Sequence, residues 1–398
     1  DGVFKIENVP IGRHTLVCQF LGYEPKVIPN IEVNAGKEVV LEISMTESFQ
    51  ELEEVVVTGE RSKTDPINEL ATLSVRTLSI AEANRYAASI SDPARQAQNF
   101  AGVAGNGDDL TNDIVIRGNS PLGLLWRLEG LPIPNPNHFT SLGSTGGAVS
   151  MLSSNVLANS DFYTGAFPAE YGNATAGVFD LRLRKGNNET NETTASMGFL
   201  GLELASEGPI SEGSKVSYLL NYRYSTLAVL NRLGVQVAGD FLPNYQDLSF
   251  NVNVPTKGLG TFNLYGLGGN SWVNLVEREE DSSGSLVDTT DDISKSMMTG
   301  LGHTVFINDK TYIKSSLNFS IVDYKYSETS EINSQLIESF KENSENTTYR
   351  ISSLVNHKFN ARHTLQTGLI YSKLSQDLTN SDISTAESSD GSTTEAQA

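Results

Sequence analysis

The chain of 398 residues carries 28 Lys and Arg against 48 Asp and Glu, a formal net charge of −20, which excludes a nucleic-acid backbone as its partner. A single cysteine, Cys18, excludes an internal disulfide framework and a Cys-based metal site. No run approaches the roughly 18 to 20 consecutive apolar residues of a membrane helix; the mean hydropathy of −0.24 suggests a soluble protein, but a transmembrane β-barrel also reads as polar on average, because its apolar residues sit at every second position.

The chain opens at Asp1, already inside a strand pattern and with no charged-then-apolar export signal, which reads as a fragment whose signal lies upstream. Across residues 1–47, Phe4, Ile6, Val9, Leu16, Val17, Phe20, Val27, Ile28, Ile31, Val33, Val39, Leu41 and Ile43 fall in short alternating runs. Turn signals at Pro10-Ile11-Gly12, Leu21-Gly22-Tyr23 and Asn34-Ala35-Gly36-Lys37 separate them. About seven short strands without a helical period predict a small β-sandwich. DGVFKIENVPIGRHTLVCQFLGYEP resembles the carboxypeptidase-regulatory-like domain without its first strand or two, and the resemblance implies no peptidase. His14 has no zinc-ligand partner at a useful spacing.

Residues 48–65 form a linker in which Val55-Val56-Val57-Thr58 lies between acidic residues and a Gly59/Pro66 loop. Consecutive β-branched residues flanked by charge favour an edge strand, either as the last strand of the sandwich or as a segment that adds to another protein's sheet edge. From Ser79 to Asn99, Ile80, Ala83, Tyr86, Ala87 and Ile90 recur at helical spacing, and Asp92 is placed to cap a second helix with Pro93 at its first position. Asn106, Asp108, Asp109 and Asp113 fit no EF-hand spacing and read as a polar surface turn.

Residues 66–186 complete a small α+β domain with prominent loops. Ile114-Val115-Ile116, Leu124-Leu125-Trp126 and Gly177–Leu183 have strand character, broken by Gly118, Gly123 and Gly130.

Beyond Asn187 the period becomes two residues, in about nine segments of about ten residues, the length that crosses a bilayer when tilted. In Gln246–Val254, Leu248, Phe250, Val252 and Val254 oppose Asp247, Ser249, Asn251 and Asn253. In Lys310–Asp323, Ile313, Leu317, Phe319 and Ile321 oppose Lys314, Ser316, Asn318 and Ser320. Short turns are expected at Ser211–Ser214, Pro255–Gly260, Asn308–Lys310 and Asn360–Arg362, and long polar loops at Thr226–Tyr245, Ser271–Lys295, Ser327–Glu345 and the tail Asp377–Ala398. Sorting short and long connections in this way is what an outer-membrane barrel requires.

Three separated motifs then occur in one order: IVIRG, WRLEGLPIPNPNHF and AEYGNATAGVFDLRLRKG. Together they resemble the plug of a TonB-dependent outer-membrane receptor of the Bacteroidota type. The resemblance implies a mainly β chain: a β-sandwich over 1–47, a TonB-box linker over 48–65, a plug over 66–186, and over 187–398 the first nine or so strands of an antiparallel barrel. A barrel must close in lipid, and the plugged form has 22 strands, so most of the wall is expected outside this sequence, leaving a free strand edge prone to aggregation.

The resemblance also assigns functional parts. Glu54, Val55, Val56, Val57, Thr58 and Gly59 match the TonB box, the segment pulled by the TonB energy transducer. Arg117 and Gly118 match an Arg-Gly position whose buried guanidinium anchors the plug by hydrogen bonds or an ion pair, and Glu129 and Gly130 are further structural positions of the plug. Asn135, Asn137, His138 and Phe139, on an outward loop stiffened by Pro132, Pro134 and Pro136, are candidate ligand contacts. The implied function is active import of a nutrient (metal chelate, cobalamin, glycan or peptide) across the outer membrane, with outer-membrane lipid as a partner and the plug and N-terminal domain on the periplasmic side. Glycan importers that pair with a surface lipoprotein usually carry Ile-Asp-Gly and a Tyr-Gly-Ser-Arg-Ala type motif; here Leu128-Glu129-Gly130 and Tyr171-Gly172-Asn173-Ala174 stand instead, which argues against that partner. No hydrolase, phosphate-loop or metalloprotease motif is present, so neither an enzyme nor a bound cofactor or metal is expected. The alternative is a non-transporting surface adhesion protein built from the same modules.

Overall fold

The computed structural model describes residues 4–20, 23, 25–35, 37–41, 43, 45, 67, 68, 71, 73–83, 92–105, 111–198, 201–225, 244–281, 284–332, 335–360, 362–387 and 393–397. Near the N-terminus, β1 (Gly12–Cys18) pairs antiparallel with β2 (Lys26–Val33). No other strand forms among the described residues of this segment, so the remaining strands expected of a sandwich, at Phe4–Val9 and Val39–Ile43, have no ladder there. His14 bonds the Pro10 carbonyl at 2.7 Å.

The middle domain contains β3 (Val75–Leu78), α1 (Ile80–Ala83), α2 (Pro93–Ala97), β4 (Val103–Gly105), β5 (Ile114–Ile116), β6 (Leu124–Leu128), β7 (Leu131–Pro132), β8 (Asn137–His138), β9 (Val149–Ser150), β10 (Ser160–Tyr163) and β11 (Gly177–Leu181). Its main sheet has the order β3-β10-β11-β6-β7. The expected cap on α2 is present: Asp92 accepts from the Ala94 N–H at 2.8 Å with Pro93 opening the helix. Parallel pairing sets Phe179 beside Trp126, and their rings stack at 4.3 Å. With Ile114, Ile116, Leu128, Phe162 and Leu181 they form a buried core.

From Glu192 onward the described residues form one antiparallel sheet, the wall. Its ten strands follow sequence order: β12 (Glu192–Met197), β13 (Gly201–Pro209), β14 (Ser217–Ser225), β15 (Asn244–Thr256), β16 (Gly260–Asp281), β17 (Gly284–Asn308), β18 (Thr311–Ile332), β19 (Gln335–Asn360), β20 (His363–Glu387) and β21 (Thr393–Gln397). The expected short turns separate β13 from β14, β15 from β16, β17 from β18 and β19 from β20. The described residues of the expected long loops at Ser271–Lys295 and Ser327–Glu345 and of the loop-like tail are instead ladder: β16 and β17 stay paired to Asp281↔Gly284, β18 and β19 to Ile332↔Gln335, and β20 pairs with β21 from Ile383↔Gln397 to Glu387↔Thr393. Backbone pairing is indifferent to side-chain polarity, and Val273, Val276, Thr289, Thr290 and Ile293 give the polar ends strand propensity. The loop expected at 226–243 lies outside the described residues.

The wall is built inside out. Asp247, Ser249 and Asn251 are no more than 2% exposed, while Leu248 between them is 43% exposed. Asn221, Ser316, Asn318 and Ser320 are likewise buried, and Leu220 and Leu317 are exposed. Register carries this across the sheet, because Tyr218, Val252, Leu264, Leu301, Leu317, Ile351 and Tyr371 stand side by side in one outward row. The inward face holds the middle domain, whose core extends onto Leu219, Tyr265, Leu267 and Met298 of the wall.

Candidate functional site

Two of the motifs are turns. Ile116 bridges to Asn119 across Arg117 (φ 51°) and Gly118 (φ 77°), and Leu128 pairs with Leu131 across Glu129 (φ 53°) and Gly130 (φ 89°). Positive φ at both central residues is the signature of the tight type I′ turn, and glycine at the second position removes its strain. Arg117 is exposed, not buried; its Nη2 donates to the Ser74 and Thr164 hydroxyls at 3.3 and 3.2 Å, and it makes no ion pair among the described residues. The guanidinium therefore ties neighbouring strands together from the surface, because the turn projects it beyond β5. Glu129 works through its backbone and side chain: its N–H donates to the Leu181 carbonyl at 3.0 Å and its Oε1 accepts from the Leu183 N–H at 2.7 Å, which stitches the turn to the end of β11.

The loop Asn135–Thr140 faces the wall. Asn137 and His138 are each 1% exposed. Asn137 accepts from Asn112 at 2.8 Å and donates to Asn135 at 2.5 Å, and Asn112 donates to Asp92 at 2.6 Å. This amide chain runs from the cap of α2 to the loop, and burial pushes the Asp92 carboxyl up against the opposing pull of Asn112 and the Ala94 N–H. Asn135 is only half-buried and donates to the Gly146 carbonyl at 2.7 Å. His138 lies 2.9 Å from Asp247 of β15, which also accepts from Arg223 of β14 at 2.8 Å. Burial holds the imidazole below its usual range, opposed by the Asp247 bond and assisted by the Arg223 charge. The neutral ring thus donates Nε2–H to a carboxylate already balanced by a guanidinium. Phe139 N–H donates to Ser271 at 2.9 Å, and Thr140 and Ser294 hydroxyls meet at 3.0 Å. Of the four candidate ligand contacts, Asn137 and His138 direct their side chains into the protein, while Asn135 and Phe139 keep partial exposure.

Sequence reasoning missed two further clusters. Arg127, 3% exposed, lies over the Tyr171 ring at 4.3 Å and faces Glu170 at 3.5 Å. The Tyr171 hydroxyl donates to Asp180 at 3.0 Å, and Asn68 donates to Glu170 at 2.7 Å. Asp161 accepts the Ile67 and Asn68 N–H groups at 2.9 Å each, and burial pushes its carboxyl up against those bonds. The chain leaving the linker is therefore fastened here to the middle domain. The second cluster is the fork of Arg184 on Glu207 of β13, with two bonds of 2.7 Å. Separations of 93 and 23 residues hide both clusters from local sequence patterns. The segment Glu54–Gly59 lies outside the described residues.

No metal-binding group of side chains occurs among the described residues, nor is any helix there long and apolar enough to cross a membrane. No family model and no curated protein matches the sequence. Solved structures share its fold, among them two receptors. One is the siderophore receptor PiuA from Acinetobacter baumannii, with 12% identity over 81% of this chain and 48% of that one and a TM-score of 0.53. The other is BauA, the ferric preacinetobactin receptor from the same organism, with 12% identity over 77% of this chain and 47% of that one and a TM-score of 0.52. Both are receptors rather than enzymes, and the chain spans about half the length of each.

Proposed function

We propose that this chain belongs to an outer-membrane importer of the TonB-dependent kind, with the middle domain as plug and the ten strands as part of the barrel wall. The observation that carries the reading is the reversed amphipathicity of the wall. A sheet in water buries its apolar face, whereas this one turns the row from Tyr218 to Tyr371 outward and spends its polar face on a folded domain. Lipid is the solvent that rewards such an arrangement. On β19 the outward positions from Tyr349 to Phe359, apolar except for Ser353 and His357, span ten residue steps, about 33 Å along the strand or about 25 Å along a membrane normal at ~40° tilt, the height of the hydrocarbon-facing band of such barrels.

A plug seated on the wall through His138, Thr140 and Arg184 blocks diffusion, so import requires work on the plug. In this reading Glu54–Gly59 is the segment that the TonB transducer engages by strand addition, and Asp161 passes the pull to the plug. Asn135 and Phe139, the two of the four that keep partial exposure, remain the ligand candidates. Because PiuA is described as a siderophore receptor and BauA as a ferric preacinetobactin receptor, ferric chelates are the first nutrients to test.

The test is growth of a strain lacking the full-length gene on single ferric chelates, cobalamin, glycans or peptides. Loss of growth on one of them, restored by the intact gene and not by Val56→Pro, which removes a ladder donor, is the expected result. Growth on every nutrient, or full complementation by the proline variant, would favour a surface adhesion role instead.

A further inference from the structure

The N-terminal segment does not hang free of the rest. Lys5 Nζ lies 2.5 Å from Glu189, and Lys37 Nζ lies 3.5 Å from Glu207. The Glu38 N–H donates to Glu192 at 3.0 Å, and the Glu38 carboxylate accepts from Asn187 at 3.2 Å. All of these partners sit at the hinge where the middle domain passes into the wall. Asn187 is 1% exposed and also donates its N–H to Glu207 at 3.1 Å. Glu207 is thus shared by the wall that bears it, by Arg184 of the middle domain and by Lys37 of the N-terminal segment.

A second fact gives this contact mechanical meaning. The stretch that includes residues 46–66 joins two fastened points, Glu38 of the docked segment and the Ile67–Asn68 attachment on Asp161. Any partner that grips the middle of that stretch loads both ends at once. The two ends differ in kind. Asp161 is buried and accepts backbone N–H groups, whereas Lys5, Glu189 and Lys37 have side chains 54%, 45% and 35% exposed, and partly exposed ion pairs are individually weak and screened by salt.

We propose that the N-terminal segment is a reversible latch on the hinge: docked through Lys5, Lys37 and Glu38, it holds Glu207 on Arg184 and keeps the middle domain seated, and a pull on residues 46–66 detaches it before the Asp161 attachment yields. The role of residues 46–66 as a pulled segment rests on the importer reading; the latch itself does not.

The full-length receptor in detergent tests the latch without ligand or transducer. Hydrogen exchange is followed at the hinge, Leu183–Glu192, and at the core strand Leu124–Leu128 as a control. Lys5→Glu with Lys37→Glu raises hinge exchange roughly 3- to 10-fold, the range that two partly exposed ion pairs confer, and leaves the control strand unchanged. Restoring the first pair in reversed sense, by adding Glu189→Lys, recovers part of the protection. Unchanged hinge exchange in the doubly reversed variant overturns the latch, and so does protection that the added Glu189→Lys leaves no better. In cells, a Lys5→Cys/Glu189→Cys pair in a Cys18→Ser background is oxidised to fix the segment in place. Uptake of a nutrient found by the growth test then falls and returns with reductant; undiminished uptake with the bridge formed overturns the latch while leaving the importer reading intact.

Discussion

His138 shows how one side chain joins two parts of the molecule. Its imidazole tops a three-member chain in which Asp247 accepts from both Arg223 and His138, so a proton added to His138 would be a second positive charge on one buried carboxylate. Burial lowers the folded-state pKa of His138 below its ordinary 6.5. The sign follows: the stability that the neutral ring contributes is complete above the unfolded value and is lost as pH falls below it toward the depressed folded value. Asp92 and Asp161, whose folded values are raised, act in the opposite direction, so the ring is isolated by comparison with His138→Gln, which keeps a donor and loses the titration. Melting of the full-length protein in detergent from pH 7.5 to 5.5 is expected to fall further in the parent than in His138→Gln. His138→Ala leaves a buried acceptor short of a donor and is expected to cost about 1–3 kcal/mol at neutral pH by chemical unfolding. Gly269 belongs to the same site: a Cβ there would stand 2.6 Å from the His138 ring, so a bulky residue at 269 displaces the loop.

Among elements, the turns and the wall strands make separate demands. Gly130, with φ of 89°, is expected to tolerate Val poorly, at a cost of at least about 1–2 kcal/mol, measured as a lowered unfolding midpoint. On the wall, Leu317→Arg is expected to cost up to about 2–4 kcal/mol in lipid, depending on depth; in a water-exposed sheet the same change is worth about 0.5 kcal/mol or less. Folding titrations into lipid vesicles and the yield of folded protein measure the difference. The two-residue alternation of β15 and β18 and the short turns were legible because a single strand writes its own period. The extent of β16 to β20 was not, since their outer halves carry polar residues on both faces and only pairing distinguishes such a strand from a loop. The Arg-Gly and Glu-Gly motifs were visible as family positions, yet their role as tight turns required φ values. The burial assigned to Arg117 belongs to Arg127, ten residues on, because β6 is covered by neighbouring strands and the turn after β5 is not.

At the scale of the molecule, three carboxylates join pieces distant in sequence: Glu207 the N-terminal segment, middle domain and wall, Asp247 the middle domain and wall, and Asp161 the chain at Ile67–Asn68 and strand β10. None of these pairings has a local sequence signal, as each joins residues that only the topology brings together. Asp161→Ala is expected to free the Ile67–Asn68 attachment and to make the chain around residue 68 more open to protease, without loss of the Arg184–Glu207 fork; limited proteolysis with mass spectrometry reads the cut sites. The central claim is that the wall faces lipid outward and protein inward. Its most direct test places single cysteines at Leu301, Leu317, Ile351 and Asn318 of the full-length protein in a Cys18→Ser background, attaches an environment-sensitive fluorophore, and quenches with spin-labelled lipid in reconstituted vesicles. Strong lipid quenching at 301, 317 and 351 with little at 318 is the predicted result; water-like emission unaffected by lipid at all three apolar positions would contradict the account.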